Sequence, residues 1–492
     1  MGTSPGGYDI HVLLPHPSLP QVLLLPMEDR WALPHWHTEE RHFWQSVGHV
    51  NLDVWDRFGC DVTTLRCLGT ASDAGRAVRW YELENHTAAP PAKSGEWLRP
   101  EALLDVADAG QRLLLGQWFR EAVDGTPPRR RAWARRGWFA AARTWIDDQL
   151  RHQGLLRVGP VEQVRSWERG CVLRVPTMKG ALYFKALPAM FGHEIPLIEA
   201  LAASYPDAVV TPLAVDRDRH WMLMADMGDL SLDRVANPAR WEEALGRFAR
   251  LQLATAAAPD ALIDLGCPDR RIEALPGHID SFFAALPDYP GLSDEDVARL
   301  RALAPALKDD CVALARYRIP ATLEHGDFWP GNVMVSDDAY IYFDWSDSHP
   351  FFSLTLFLEF DDTPHVLKVD PDLRLRLRDA YLAPLGGIWD VGRSYPSVRV
   401  GAEGGAATSC ASLPSHDPAQ HGGSLGDGEH GAVLPQNALA LAIPPGQGHP
   451  FLPSLQSPDA RRGSAWKTVS WRSCRQNGTR YPMHSSGKGQ QT

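Results

Sequence analysis

Between residues 323 and 347 the chain reads LEHGDFWPGNVMVSDDAYIYFDWSD: two short apolar runs, VMV and YIYF, joined by the turn-forming SDDAY and flanked by acids and an amide. Apolar runs this short and this close are expected to pair as a β-hairpin. Pairing would bring Asn332, just before the first strand, and Asp344, just after the second, to one end beside Asp327. The turn residues Asp337 and Asp338 would fall at the far end, facing solvent, with no chemical role. A base, an amide and a second carboxylate in that order are what transfer of the γ-phosphoryl group of ATP asks of a protein. The expectation is therefore that Asp327 orients and deprotonates a hydroxyl. Asn332 and Asp344 would be oxygen ligands for Mg2+, which takes few protein ligands and fills its octahedron with phosphate and water. His325 is expected to support this loop through hydrogen bonding, with no proton transfer of its own.

Such a site also needs a cation on the phosphates. Lys185 ends the apolar run ALYFK, where a buried ammonium is costly unless paired. Glu194, at the start of the helical stretch EIPLIEALAASYP, is the preferred partner, with Glu199 as competitor. The two stand about 140° apart round a helix, so both cannot face the lysine. The run SWERGCVLRV offers a hairpin turn around Glu168 to Gly170 that would cover the phosphates. In HWMLMADMGDLSL a strand leaves through a short polar hinge. Backbone groups from Met224 through Asp226 to Met227 would meet adenine there, although these methionines equally suit a plain core.

Residues 1–125 alternate strand-like runs with two helical ones. In EERHFWQSVGHVNLDVWDRFG, residues Phe43, Val47, Val50, Val54 and Phe58 recur at helical intervals before a glycine stop, and the leucines of GEWLRPEALLDVADAGQRLLLGQWFREA do the same. Residues 126–158 form an arginine-rich linker and a helix with Trp138, Ala142, Trp145 and Leu150 on one stripe. Residues 159–227 read as a strand-rich lobe, and 228–386 as a helical one. Within the latter, LSDEDVARLRALAPALKDDCVALARY reads as a single helix capped by Ser293 with Asp296, and strands return at ATLEHGD, NVMV and YIYFDW. From 387 to 492 the texture turns rich in Gly, Ser, Pro, His and Gln without period, a composition expected to stay disordered.

A formal net charge of −11 speaks against nucleic-acid or anionic-membrane partners. Seven scattered cysteines, without CxxC spacing, fit neither a zinc site nor a disulfide framework. With no secretory signal and no apolar run long enough to span a bilayer, a cytoplasmic location is expected. Oligomeric state stays open.

The pattern LEHGDFWPGNVMV…YIYFDWSD resembles the HGDxxxxN and IDW signature of the aminoglycoside phosphotransferase/choline kinase-like family, a branch of the protein-kinase-like fold. ALYFK, Glu194 and LMADMG fall in the same order, so the resemblance spans residues 159–385. It implies ATP and Mg2+, with Asp327 as base, Asn332 and Asp344 on the metal, Lys185 on the phosphates and Glu194 as its partner. It also implies a small-molecule hydroxyl as acceptor, such as an aminoglycoside, choline or a sugar. Asp347, Glu359, Asp361 and Asp362 would suit a cationic acceptor, or simply solvate the surface. The alternative is a nucleotide-binding pseudokinase or regulatory module, against which the complete set of Asp327, Asn332 and Asp344 argues. No DFG or APE segment supports a protein kinase.

The first 125 residues resemble a Nudix fold. Aligned through Gly59, its box positions hold Thr38, Trp44, Leu52, Asp53, Asp56 and Arg57, so the glutamate pairs for Mg2+ are missing and diphosphate hydrolysis is not expected. Together these imply an α+β chain: a small Nudix-like α/β domain, a bilobal protein-kinase-like phosphotransferase domain, and a disordered tail. That tail replaces the closing helices usual in the family.

Overall fold

The computed structural model describes residues 7–73, 76–88, 95–288, 292–337, 339–345, 354, 357–358 and 372–387. The expectations for Asp338, Asp347, Glu359, Asp361, Asp362 and the tail beyond Gly387 lie outside the described residues.

The N-terminal unit is built on strands β1 (Tyr8–Leu13), β2 (Val22–Met27), β3 (Arg30–Ala32), β4 (His35–Thr38), β5 (Val62–Asp73), β6 (Arg76–Asn85) and β7 (Glu96–Leu98). They form a mixed four-stranded sheet in the order β4-β1-β6-β5, with β1 and β6 parallel, and a three-stranded sheet β3-β2-β7. Helix α1 (Gly48–Phe58) lays Val50, Val54 and Phe58 against Ile10, Val12, Tyr81 and Leu83. It stops at Gly59, whose φ of 68° is the left-handed cap that glycine adopts cheaply. Helix α2 (Ala109–Asp124) is capped by the Asp108 side chain and buries Leu115, Trp118 and Phe119 against Leu13, Val22 and Leu24. Two helical expectations shorten here. Phe43 lies outside α1, because residues 45–47 serve instead as a strand-like segment, and residues before Ala109 form β7 and a 3-10 turn.

Helix α3 (Trp138–His152) buries Trp138, Ala142, Trp145, Ile146 and Leu150. This stripe packs on one face of a five-stranded antiparallel sheet, order β11-β12-β10-β9-β8. Its strands are β8 (Glu162–Trp167), β9 (Gly170–Thr177), β10 (Gly180–Ala186), β11 (Pro212–Asp216) and β12 (Trp221–Ala225). Cys171, Leu173, Phe184 and Leu223 point to α3, while Val172, Tyr183, Met222 and Met224 point the other way, towards α4 (Glu194–Ser204). The outer strand β8 is not left as an open edge. Val47 N donates to Val164 O at 3.1 Å and Ser166 N to Gln45 O at 3.0 Å. Behind it, the buried Gln163 amide accepts from Thr64 N (2.7 Å), donates to Thr64 O (2.8 Å) and accepts from Asn51 Nδ2 (3.1 Å).

The remainder is mostly helical: α5 (Pro238–Thr255), α6 (Pro259–Asp264), α7 (Leu275–Ala285), α8 (Asp294–Arg301), α9 (Ala304–Ala315), the hairpin β13 (Val333–Val335) and β14 (Tyr340–Tyr342), and α10 (Leu373–Leu382). Ser293 caps α8 with Asp296 as a capping box, but the single helix expected here breaks at Ala302 and Leu303. Pro305, in the first turn of α9, has no N–H to continue the ladder. Nor does ATLEHGD form a strand. The Thr255 hydroxyl accepts from Leu323 N (2.9 Å) and Gln252 Nε2 donates to Leu323 O (2.9 Å), so side chains of α5 take the places a neighbouring strand would fill. Trp241 and Phe248 of α5, with Phe328, Tyr342, Trp345, Leu377 and Tyr381, form the buried centre of this part. No helix among the described residues is long and apolar enough to cross a membrane.

Replacing Gln163 with leucine should leave the buried Thr64 N–H and C=O without partners and lower unfolding free energy by about 2–4 kcal/mol. Urea titration measures this; a loss below about 1 kcal/mol would show that the junction does not depend on those bonds.

Candidate active site

Lys185, on β10, is 7% exposed and lies on the sheet face opposite α3. Its ammonium donates to both Glu194 oxygens at 2.7 and 2.8 Å and is also ion-paired with Asp344. Glu194, 3% exposed, opens α4, where the helix dipole favours a carboxylate. The competitor Glu199 turns away and pairs with Arg217 at 2.8 Å.

Asp344 follows β14 with φ of 68°, a left-handed backbone costing a non-glycine residue about 1–3 kcal/mol. Such strain persists only where surrounding contacts impose it, here the ion pair with Lys185. Burial opposes its charge, but Lys185, followed by Arg165, outweighs that and holds the carboxyl below its ordinary range. Glu194 behaves in the opposite way: burial, with Asp344 nearby, pushes it up to about 7 despite Lys185. Two carboxylates share one ammonium: the lysine outweighs burial at Asp344, while at Glu194 burial outweighs the lysine.

The hairpin register pairs Val333 with Tyr342, so Asn332 and Phe343 meet at its end, where Phe343 N donates to Asn332 O at 3.2 Å. Asn332 Nδ2 donates to the Asp327 carbonyl (2.8 Å) and to Asp327 Oδ2 (3.3 Å). Its Oδ1 therefore remains the end able to face a cation. Gly326, with φ of 75°, lets the chain turn between the buried His325 and Asp327. The His325 ring packs 4.6 Å from Trp345 and 5.5 Å from Phe328, which stacks on Phe248 at 4.0 Å. Asp337 lies at the other hairpin end, where Arg240 donates to its carbonyl at 2.9 Å.

Met224 is the penultimate residue of β12, its side chain in the core and its backbone paired to Tyr183. Asp226 lies in the hinge beyond it, its carboxylate accepting from Gly228 N at 3.0 Å. The β8–β9 turn falls at Glu168 and Arg169, between the paired Trp167 and Gly170. Among the described residues no three His, Cys, Asp or Glu side chains gather as a metal centre. One carboxylate and one amide oxygen nevertheless suit Mg2+, whose remaining positions phosphate and water fill. In the N-terminal unit, Asp53 is held by Trp36 Nε1 at 2.6 Å, and burial raises its pKa.

Two contributors escape sequence reasoning: Gln252, which fixes the segment before His325, and Arg165, which reaches the charge of Asp344. Neither lies in a local pattern that would single it out.

No protein-family profile matches the chain, and no curated protein does. Among solved structures it is similar to choline kinase LicA from Streptococcus pneumoniae, at 14% identity over 61% of this chain and 99% of that one, with a TM-score of 0.41. It is similar to an ethanolamine kinase of Plasmodium vivax, at 12% identity over 69% and 95% of the two chains, TM-score 0.42. A NUDIX hydrolase from Nitrosomonas europaea aligns at 14% identity over 26% of this chain and 77% of that one, TM-score 0.22.

Burial lowers the His325 pKa from 6.5 to about 4, against the pull of Asp344. Because the folded value lies below the unfolded one, the stability held by the neutral ring is complete above pH 6.5 and is lost as pH falls through 4. Between those limits the wild type should lose about 3 kcal/mol more than His325→Phe. Parallel pH profiles in denaturant titrations would contradict this.

Proposed function

We propose that this protein is an ATP- and Mg2+-dependent O-phosphotransferase that phosphorylates a hydroxyl of a small molecule. The observation carrying the reading is the Lys185 ammonium buried between Glu194 and Asp344, at the hairpin end where Asn332 holds Asp327. Structural ion pairs are common, but this one ties β10 and the start of α4 to the end of a hairpin 159 positions away, through an aspartate with a left-handed backbone. Bound Mg·ATP supplies the transferable phosphoryl group and the metal that neutralises its charge.

The chain's own residues do the rest. Asp327 accepts a hydrogen bond from the acceptor hydroxyl and takes its proton as the oxygen attacks. Asn332, by donating to Asp327, keeps that carboxylate aimed and presents Oδ1 to the metal. Asp344 stays ionised at neutral pH and supplies the other metal oxygen. Lys185, oriented by Glu194, holds the phosphates, and backbone groups from Met224 through Asp226 to Met227 receive the adenine. A net charge of −11 is compatible with a cationic acceptor such as an amino sugar or choline.

The test is ADP release from Mg·ATP in the presence of aminoglycosides, choline, ethanolamine and amino sugars. Asp327→Ala should lower kcat by about 10²- to 10⁴-fold while the Kd for Mg·ATP changes less than about threefold. Asp344→Ala should remove both turnover and the Mg2+ dependence of nucleotide binding. Tight ATP binding by the wild type with no acceptor-dependent ADP across the panel would instead favour a nucleotide sensor.

A further inference from the structure

Arg165 stands two strands away from the lysine on the same sheet. Its register partner on β9 is Val172, and Val172 is paired in turn with Lys185 on β10. Directly opposed residues of antiparallel strands project from the same face. Arg165, Val172 and Lys185 therefore form a row on the face turned away from α3, the one that meets Asp344.

Strict alternation would not put the arginine there. The β8 register shifts between Gln163 and Arg165, the mark of a bulge, and successive side chains at such a bulge turn to one side. Val164 accordingly packs on the core of the cleft side, next to Arg165. Gln163 and Ser166 reach the other way, to Thr64 and to the Leu65 carbonyl at 3.3 Å. The bulge is gripped from outside, by the hydrogen bonds of Gln45 and Val47 to residues 164 and 166.

The guanidinium feels Asp344: burial acts against its charge, the carboxylate supports it, and Arg165 in turn helps keep Asp344 ionised. Among the described residues no carboxylate or carbonyl accepts a hydrogen bond from its side chain. A half-buried guanidinium with its donor fork unspent, beside the residues assigned to metal and phosphate, suits a phosphoryl group, whose oxygens match that fork.

We infer that Arg165 is a second phosphate-binding cation of the nucleotide site, set beside Lys185 by the β8 bulge that the N-terminal unit holds in place. This rests on the phosphotransferase reading and adds to it a residue that selects for nucleotide polyphosphate.

Calorimetric titration of the full chain with Mg·ATP, Mg·ADP and AMP tests it, using the wild type, Arg165→Met, Arg165→Lys and Lys185→Met, with thermal melting as a check of folding. Arg165→Met should weaken Mg·ATP and Mg·ADP by about 10- to 100-fold and AMP by less than about threefold, with Arg165→Lys recovering part of the loss. Unchanged Mg·ATP affinity in Arg165→Met, where Lys185→Met loses it, overturns the inference and leaves the phosphotransferase reading standing. Equal losses for AMP and Mg·ATP in Arg165→Met also overturn it, since the residue would then act on the adenosine or the fold. Failure of the wild type to bind any of the three nucleotides overturns both.

Discussion

An ammonium inside a sheet must be paired, because an isolated buried charge costs several kcal/mol. Lys185 meets that requirement with two carboxylates, from the start of α4 and from the end of the β13–β14 hairpin. The pairing fixes where the strand-rich and helical parts face each other, and much of the cleft follows from it. Asp344 accepts a left-handed backbone to reach the lysine, just beyond the hairpin end where the strand register brings Asn332 and Phe343 together. Asn332 then holds Asp327. Removing the lysine would strand two acids in a poorly solvated place, so the same contact that organises the site is also its most vulnerable point.

The N-terminal unit bears on this from outside. An exposed strand edge invites unwanted pairing, and β8 escapes it because residues 45–47 cover that edge. Gln163 is inserted behind the strand, its amide consumed by Thr64 and Asn51. In the same unit Asp53, at a position aligned with the Nudix box, is occupied by the Trp36 indole. Its visible work is to cover the edge of the five-stranded sheet and to grip β8 at the bulge beside Arg165.

The hairpin, the cap at Ser293 and the stripe on α3 were legible because each depends on residues a few positions apart. So was the choice of Glu194 over Glu199, since the cost of a bare lysine and the angular spacing of a helix are both local facts. Where local pattern and structure part, distant contacts are the main cause. Phe43 and Val47 have the spacing of a helix, yet Val47 N is spent on Val164 O. ATLEHGD has the composition of a strand, yet Thr255 and Gln252, about 70 positions earlier, take its backbone groups. The helical period after Ser293 runs unbroken through Pro305, yet that proline cannot donate and the helix divides there.

By itself the sequence determined the order and spacing of the candidate groups: Asp327, Asn332 and Asp344, and an apolar strand carrying Lys185. Tertiary structure alone decided that one ammonium would be shared by Glu194 and Asp344, and that Arg165 would share a face with Lys185 and not with Gln163. The reason is range. Period and capping act over a turn of helix or a pair of strand residues. A bulge, its clamp and a buried ion pair depend on hydrogen bonds and charges between segments up to 159 positions apart, which no local pattern records.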